Sequence, residues 1–334
     1  MEIKVPQIAV PDFWLADLGK VHGYLRDRLP EGVVREFGRS SLDHPLHVVE
    51  YPREGAVKLM VIGGTHGHEP GTVASAMNLI HLRGEGRDLA DQPHERLLEL
   101  LDQVHLFVIP CLNPDGRSVC PDSSHCQALE TCVLYASGLQ KTGEIIPYDS
   151  DSDKPLYYFD PEHALFMGGQ FNGAGWAMNR RLSDDESEAV EVQALLELVR
   201  ELGLAAIIDL HACGYNFAFQ VRSHEAPYWP VMREWQERAK ALFDAKSRPL
   251  GRLHGDGDPP EPPAFFFNSA LIHKHARLMW MAFEGRQGYL GRSTFMPVPT
   301  EWEIVDDYLM AVEAFVELGV EERYTAANRE VFGD

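Results

Sequence analysis

The sequence is poor in positive charge, in cysteine and in long apolar runs. Only 30 of its 334 residues are lysine or arginine, against 51 aspartates and glutamates, so the formal net charge at pH 7 is −21. This excess of acidic residues argues against a nucleic-acid-binding protein, which needs a basic face. It also argues against a protein that docks on anionic lipid through a polybasic patch. Apolar residues make up 45% of the chain, which is too many for a disordered protein. We therefore expect a globular protein with no nucleic-acid partner.

Cysteines and hydrophobic segments exclude two further classes. The cysteines are five in number, at positions 111, 120, 126, 132 and 213, and an odd count argues against a disulfide framework. No apolar run approaches the roughly 18 residues of a membrane span. The first residues lack the basic and long apolar regions of a secretory signal. We expect a cytoplasmic protein with no membrane partner.

Hydrophobic periodicity predicts alternating strands and helices, which is typical of an α/β fold. Strands are predicted at 46–51, 57–62, 104–112, 204–210, 216–222 and 278–284. Helices are predicted at 11–28, 71–82, 94–101, 183–202, 230–245 and 300–318, the fourth and the last opening with capping boxes at Ser183–Glu186 and Thr300–Glu303. Residues 117–178 lack this periodicity. We interpret them as a long loop insertion in a single domain spanning 1–334.

Polar residues stand at the ends of three apolar runs, where an open α/β sheet builds its site. His66 and Glu69 follow the 57–62 run three residues apart, so a turn into a helix projects both side chains to one side. His211 ends a second run and Glu284 a third. Taken singly, each has a simpler interpretation: a polar loop, a core histidine, or a salt bridge from Glu284 to Arg286.

Taken together, these residues predict a catalytic zinc site. Two histidines and one glutamate, His66, Glu69 and His211, fill three positions of a tetrahedron and leave the fourth to water. Zinc lowers the pKa of water and polarises a carbonyl, and Glu284 is then the candidate base. Manganese or cobalt also suits such ligands, so zinc is an inference from the ligand types.

With these residues the sequence resembles the zinc carboxypeptidases of the carboxypeptidase A type. The resemblance covers roughly residues 57 to 317 and includes two further motifs, Leu112–Gly116 and Asn179–Arg180. It implies a mixed, mainly parallel sheet of about eight strands, with helices on both faces and zinc at the carboxyl edge. It also implies that Asn179 and Arg180 bind the substrate's terminal carboxylate, a contact that suits a guanidinium.

Two functional positions of that family have no clear counterpart in this sequence. The family's oxyanion-stabilising arginine is absent, since no arginine lies between Arg117 and Arg180. Arg117 is the candidate for this catalytic role, and Arg181 is another. The tyrosine expected before Glu284 is also absent, and Tyr289 is the candidate for its contact with substrate.

A second resemblance leaves the substrate open. The string Gly63–Glu69 is also similar to the succinylglutamate desuccinylase and aspartoacylase branch, which implies a deacylase of N-acyl amino acids. The Asn113–Gly116 turn favours the peptidase side. The leading hypothesis is zinc-dependent hydrolysis of an amide bond next to a free carboxylate, in a small peptide or an N-acyl amino acid. A binding protein that retains the fold without turnover is the third hypothesis.

Overall fold

The computed structural model describes residues 9–123, 129–147, 157–181, 186–214, 218–221, 225–248, 266–286 and 299–333. The strands are β1 (Val34–Arg39), β2 (Pro45–Tyr51), β3 (Lys58–Ile62), β4 (His105–Ile109), β5 (Gly138–Gln140), β6 (Ala164–Met167), β7 (Arg180–Arg181), β8 (Ala206–Gly214), β9 (Ala218–Val221), β10 (Phe266–Phe267) and β11 (Met279–Arg286). The helices are α1 (Leu18–Arg28), α2 (Pro70–Glu85), α3 (Glu95–Leu101), α4 (Pro114–Ser118), α5 (Leu129–Ser137), α6 (Val190–Leu202), α7 (Tyr228–Ala245), α8 (Asn268–Ala276), α9 (Glu301–Val320) and α10 (Arg323–Phe332). Within the described ranges, every helix is too short or too polar to cross a bilayer.

The central sheet is mixed, with a parallel core. In the described part of the chain it has seven strands in the order β1-β2-β4-β3-β8-β11-β9, where about eight were expected. The four strands β4, β3, β8 and β11 run parallel to one another, whereas β2 pairs antiparallel with β4 and β9 pairs antiparallel with β11 at the two sides of this core. The carboxyl ends of the parallel strands therefore meet at one edge, which places residues that follow β3, β8 and β11 close together.

Helices cover both faces of this sheet, as the sequence predicted. Alternate residues of β3 face opposite sides: Leu59 and Val61 pack with α2, α7 and α9, whereas Met60 and Ile62 pack with α6 and α8. Burial on both faces explains why the parallel strands appear in the sequence as continuous apolar runs rather than alternating ones.

Most predicted elements are confirmed with shifted ends, and two helix starts were wrong. The helix expected from residue 11 begins at Leu18, where the Asp17 side chain accepts from the Lys20 N–H as the N-cap. The helix expected from Ser183 begins at Val190, and Ser183 itself lies outside the described residues. Ser187 is buried, its hydroxyl accepts from the Ala189 N–H, and its carbonyl accepts from Gln193. Such local side-chain hydrogen bonds compete with helix formation, which explains the later start.

The other capping box is confirmed. The Thr300 hydroxyl accepts from the Glu303 N–H at 3.2 Å, and the Glu303 carboxylate accepts from the Thr300 N–H at 2.8 Å. The strand β1 and the helices α8 and α10 were not predicted, because their short, charged sequences carry little hydrophobic periodicity.

The region 117–178 has more regular structure than the sequence indicates. Its described parts contain α5 and a two-stranded sheet of β5 and β6. Because these strands have three and four residues, they are too short for a periodic pattern. The Gly169 carbonyl accepts from the Gly67 N–H at 2.7 Å, so this region packs directly on the turn after β3.

Candidate metal centre

Three side chains converge at the carboxyl edge of the sheet. His66 and Glu69 lie in the turn between β3 and α2, and His211 lies in β8. One ligand atom from each residue lies within 4.8 Å of the others, and all three residues are buried. The His66 Nδ1 to Glu69 Oε1 distance is 3.0 Å, and His211 Nδ1 to Glu69 Oε2 is 3.7 Å. The structure thus brings together the metal ligands that the sequence predicted.

Glycines allow this turn to form. Gly64 has φ +64°, a left-handed conformation that glycine adopts without strain. A Cβ on Gly67 would lie 2.1 Å from the Gly116 carbonyl carbon and 2.2 Å from the Arg117 nitrogen. No side chain fits there, so the turn carrying His66 and Glu69 packs backbone against backbone on the start of α4.

Burial and neighbouring charges both shift the pKa values of the buried groups at the site. Burial raises the pKa of the Glu69 carboxyl above its usual range, against the opposing effect of His68 and His211. Burial alone lowers the pKa of the His211 imidazole, but the carboxylates of Asp209, Glu284 and Glu69 together outweigh it and raise that pKa to about 9. His68 stacks on His66, and burial lowers its pKa to about 4.

The donor set fits a divalent metal ion. The Glu69 carboxylate is buried, and its Oε2 lies 3.7 Å from His211 Nδ1. A buried carboxylate is costly unless a cation compensates its charge. Two imidazole nitrogens and one carboxylate oxygen are also the ligand types of catalytic zinc sites.

Glu284 reaches this centre through the pairing of β8 with β11. In the parallel register Glu284 lies directly opposite His211, and its charge contributes to the raised pKa of that imidazole. Glu284 is 8% exposed. Arg286, its suspected salt-bridge partner, donates from Nε to Asp307 Oδ2 at 2.7 Å. The structure therefore gives Arg286 a partner other than the candidate base.

The Asn-Pro-Asp-Gly turn, residues 113–116, forms hydrogen bonds to the loops around the site. Asn113 accepts from the Gly116 N–H and donates to the carbonyls of Gly169 and Phe171. Asp115 accepts from Ser41 Oγ at 2.6 Å, and from the backbone N–H groups of Leu42 and Gly173. In this structure the motif ties the region 117–178 to the loop after β1.

Arg117 is 2% exposed and directs its guanidinium at backbone carbonyls. It donates to the Gly67 oxygen at 2.6 Å, to the Cys120 oxygen at 2.6 Å and to the Pro121 oxygen. A further bond reaches Asp122 Oδ1 at 3.1 Å. Arg117 thus binds the turn that separates His66 from Glu69.

The backbone of Asn179 and Arg180 is held by a residue that the sequence did not reveal. Asn268 donates from Nδ2 to the carbonyls of Met178 and Arg180, at 2.8 and 3.1 Å, and its N–H donates to the Asn179 carbonyl. Asn179 and His211 line the same cavity. The side chain of Arg181 and the whole of Tyr289 lie outside the described residues.

Asp209 is the second residue that sequence reasoning missed. It accepts from His211 Nε2 at 2.7 Å and from Thr65 Oγ1 at 2.7 Å. A signal was present, because Asp209 is the polar residue in an apolar run, two positions before His211 and hence on the same face of the strand. Asn268 offered no comparable signal.

Comparison with known proteins agrees with this geometry. A family model for zinc carboxypeptidases, peptidase family M14, matches residues 24–248. A search of curated proteins returns no match. Among solved structures, the metallo-carboxypeptidase of Burkholderia cenocepacia is similar at 15% identity, with a TM-score of 0.59 over 91% of this chain and 69% of that one.

Two further structures share the fold. Bovine thrombin-activatable fibrinolysis inhibitor, in complex with tick carboxypeptidase inhibitor, aligns at 14% identity with a TM-score of 0.57, covering 91% of this chain and 97% of that one. The metallo-carboxypeptidase of Pseudomonas aeruginosa, in complex with (2-guanidinoethylmercapto)succinic acid, has the same identity of 14% and TM-score of 0.57, over 92% and 69%. The family match, the fold and the ligand cluster lead to one conclusion: the chain belongs to the zinc carboxypeptidase family and is a zinc-dependent hydrolase.

Proposed function

We propose that the protein hydrolyses an amide bond next to a free carboxylate, at the carboxyl-terminal end of a small peptide. The observation that carries the proposal is the placement of Glu284 opposite His211 on neighbouring parallel strands, at the edge where His66 and Glu69 also lie. A base beside a metal-ligand triad is the arrangement that hydrolysis of an amide needs.

Zinc held by His66, Glu69 and His211 would act as a Lewis acid towards the scissile carbonyl and lower the pKa of water. Glu284 takes a proton from the attacking water and delivers it to the nitrogen of the leaving amine. Its position, 8% exposed at the end of β11, keeps the carboxylate largely out of bulk water, which suits a base that must exchange protons with substrate.

Asn179 and Arg180 bind the terminal carboxylate of the substrate in this proposal. A guanidinium and a carboxylate form two parallel hydrogen bonds, which fixes the orientation of the substrate as well as its charge. The location of Asn179 supports this assignment, because Asn179 and the proposed metal ligand His211 line the same small cavity. Tyr289 is the proposed additional substrate contact.

The oxyanion of the reaction also needs a donor, for which Arg117 is the proposed residue. Its NH1 and NH2 groups already donate to three carbonyls and to Asp122, so this role requires some of those bonds to be exchanged during turnover. If Arg117 keeps these bonds during turnover, its effect on the reaction is indirect, because it then holds the His66–Glu69 turn in position.

Parallel assays on three substrate sets test the proposal. Zinc-loaded protein is given N-blocked dipeptides with a free carboxyl terminus, the same dipeptides amidated at that terminus, and N-acetyl amino acids. We expect hydrolysis of the free acids, and little of the amides. A clear preference for N-acetyl amino acids would establish the deacylase instead, and no turnover across all three sets would favour the non-catalytic binding protein.

The Arg180→Gln variant tests the carboxylate contact. Loss of a charge-assisted hydrogen-bonded pair should raise KM for the free-acid dipeptides by about 10- to 100-fold. The matched control is Arg200→Gln, which changes an exposed arginine in the last turn of α6. Equal KM values in the two variants would refute the assignment of Arg180.

A further inference from the structure

Asp209 lies between the two parts of the chain that supply the metal ligands. Its side chain is buried, with Oδ2 at 2.7 Å from His211 Nε2 and Oδ1 at 2.7 Å from Thr65 Oγ1. Thr65 directly precedes His66 in the turn after β3, whereas Asp209 and His211 belong to β8. One carboxylate therefore links the strand that carries His211 to the turn that carries His66 and Glu69.

The chemistry of this contact decides which nitrogen of His211 can bind a metal. An ionised carboxylate only accepts hydrogen bonds, so a bond to Asp209 requires the proton of the neutral imidazole to reside on Nε2. In that neutral ring Nδ1 carries the lone pair that a metal ion takes in place of a proton. Nδ1 is also the nitrogen that faces the other ligands, 3.7 Å from Glu69 Oε2.

The main chain around His211 is held as well. Tyr308 of α9 donates from its hydroxyl to the His211 carbonyl at 2.7 Å. Because this bond fixes the backbone, the remaining freedom of His211 is the rotation and the tautomer of its ring. The contact with Asp209 restricts both of these.

We propose that Asp209, itself oriented by Thr65, is a positioning residue that holds His211 in the metal-binding tautomer and strengthens zinc binding. Carboxylates that accept from metal-bound imidazoles typically contribute 10- to 100-fold to metal affinity. The role concerns the metal centre alone, so it holds for a peptide substrate and for an N-acyl amino acid alike.

A second buried aspartate–histidine pair provides the control. Asp88 Oδ2 accepts from His94 Nε2 at 2.8 Å, and Asp88 is 1% exposed. This pair lies between α2 and α3, away from the three ligands. Its disruption removes the same type of hydrogen bond from a buried aspartate without touching the metal centre.

The test is the zinc dissociation constant, measured by competition with a chromophoric chelator at fixed pH. Asp209→Ala removes both hydrogen bonds and should weaken zinc binding by about 10- to 100-fold. Asp209→Asn keeps an amide oxygen for His211 and should lose less. Thr65→Val removes only the donor to Asp209 and should show the smallest loss, whereas Asp88→Asn should bind zinc as the unmodified protein does.

Kinetics provide a second readout that a purely structural role would not produce. At limiting zinc the Asp209 variants should lose kcat with little change in KM, and added zinc should restore much of it. Should Asp209→Ala not fold, Asp209→Asn and Thr65→Val carry the test. Folded variants at position 209 that bind zinc as tightly as Asp88→Asn would overturn the proposal.

Discussion

Buried carboxylates lie in two places, the metal centre and the first turns of α9, and the two groups differ in the side chains that surround them. In the metal centre, Glu69 faces the imidazoles of His66 and His211. In the second group, Asp306 and Asp307 of α9 pair with basic residues, namely Lys246, Arg248 and Arg286. We call these five residues the α9 ion-pair cluster.

The difference explains which group suits a metal ion. Permanently charged lysine and arginine side chains neutralise the α9 carboxylates and occupy their oxygens, so a metal ion would have to displace them. Imidazoles offer a lone pair instead of a competing charge. Buried carboxylates thus identify a metal site by their neighbours rather than by their number.

The largest expected effect is a loss of catalytic activity, because only the metal centre contains the proposed base, Glu284. Glu284→Gln should lower kcat/KM by at least about 100-fold, up to about 10,000-fold, because the amide cannot accept the proton from water. Its zinc content, measured by elemental analysis, should equal that of the unmodified protein. Asp306→Asn removes a carboxylate from the α9 ion-pair cluster, and its zinc content should also equal that of the unmodified protein. Retained turnover in Glu284→Gln would remove Glu284 from the role of base.

The second effect concerns metal stoichiometry. His66→Ala and His211→Ala each leave two of the three ligands, so zinc per chain should fall well below that of the unmodified protein after dialysis. Added zinc should also raise the thermal unfolding temperature of the unmodified protein but not of these variants, since a ligand stabilises only the state that binds it. Full zinc occupancy in either variant would contradict the ligand set.

A third prediction concerns stability. Arg286→Met leaves the buried Asp307 with Arg248 as its nearest charge partner, at 3.3 Å. Breaking a buried ion pair should lower the free energy of unfolding by about 3–5 kcal/mol, measured by denaturant titration, with zinc content unchanged. Arg26→Met, at the exposed pair with Asp27, is the control and should not change stability measurably. Zinc loss in Arg286→Met would mean that the two groups are one functional unit.

The smallest effect is at the start of α9, the helix that carries Asp306 and Asp307. Thr300→Ala removes the hydroxyl that accepts from the Glu303 N–H, which should lower the free energy of unfolding by about 1 kcal/mol. Activity and zinc content should remain unchanged. A stability loss as large as that of Arg286→Met would show that the cap and the ion-pair cluster are coupled.

Local patterns predicted the metal centre well. His66 and Glu69 are three residues apart, and His211 and Glu284 follow apolar runs, so spacing and the strand-end rule sufficed to bring them together. The same patterns missed the start of α6, where buried Ser187 bonds to nearby groups. Periodicity reports which face of an element is buried, and it carries no information on such bonds.

These patterns did not predict hydrogen-bond and ion-pair partners that are far apart in the sequence. Thr65 and Asp209 are 144 positions apart, and Asn268 lies 88 positions after the Arg180 carbonyl that it binds. Arg286 stands two residues after Glu284, which suggested a salt bridge between them. Because α9 packs on β11, Arg286 instead pairs with Asp307 of α9. Which donor meets which acceptor depends on how the layers pack.

The sequence by itself determined the α/β class and the candidate ligand set, because periodicity and the polar residues at the ends of apolar runs are local features; the mainly parallel sheet was implied by the resemblance to zinc carboxypeptidases. Only the tertiary structure decided that Asp209 orients His211, that Arg117 binds the Gly67 carbonyl, and that Arg286 pairs with Asp307. The physical reason is that buried polar groups must find partners, and those partners come from whichever elements the packed fold places within hydrogen-bond distance.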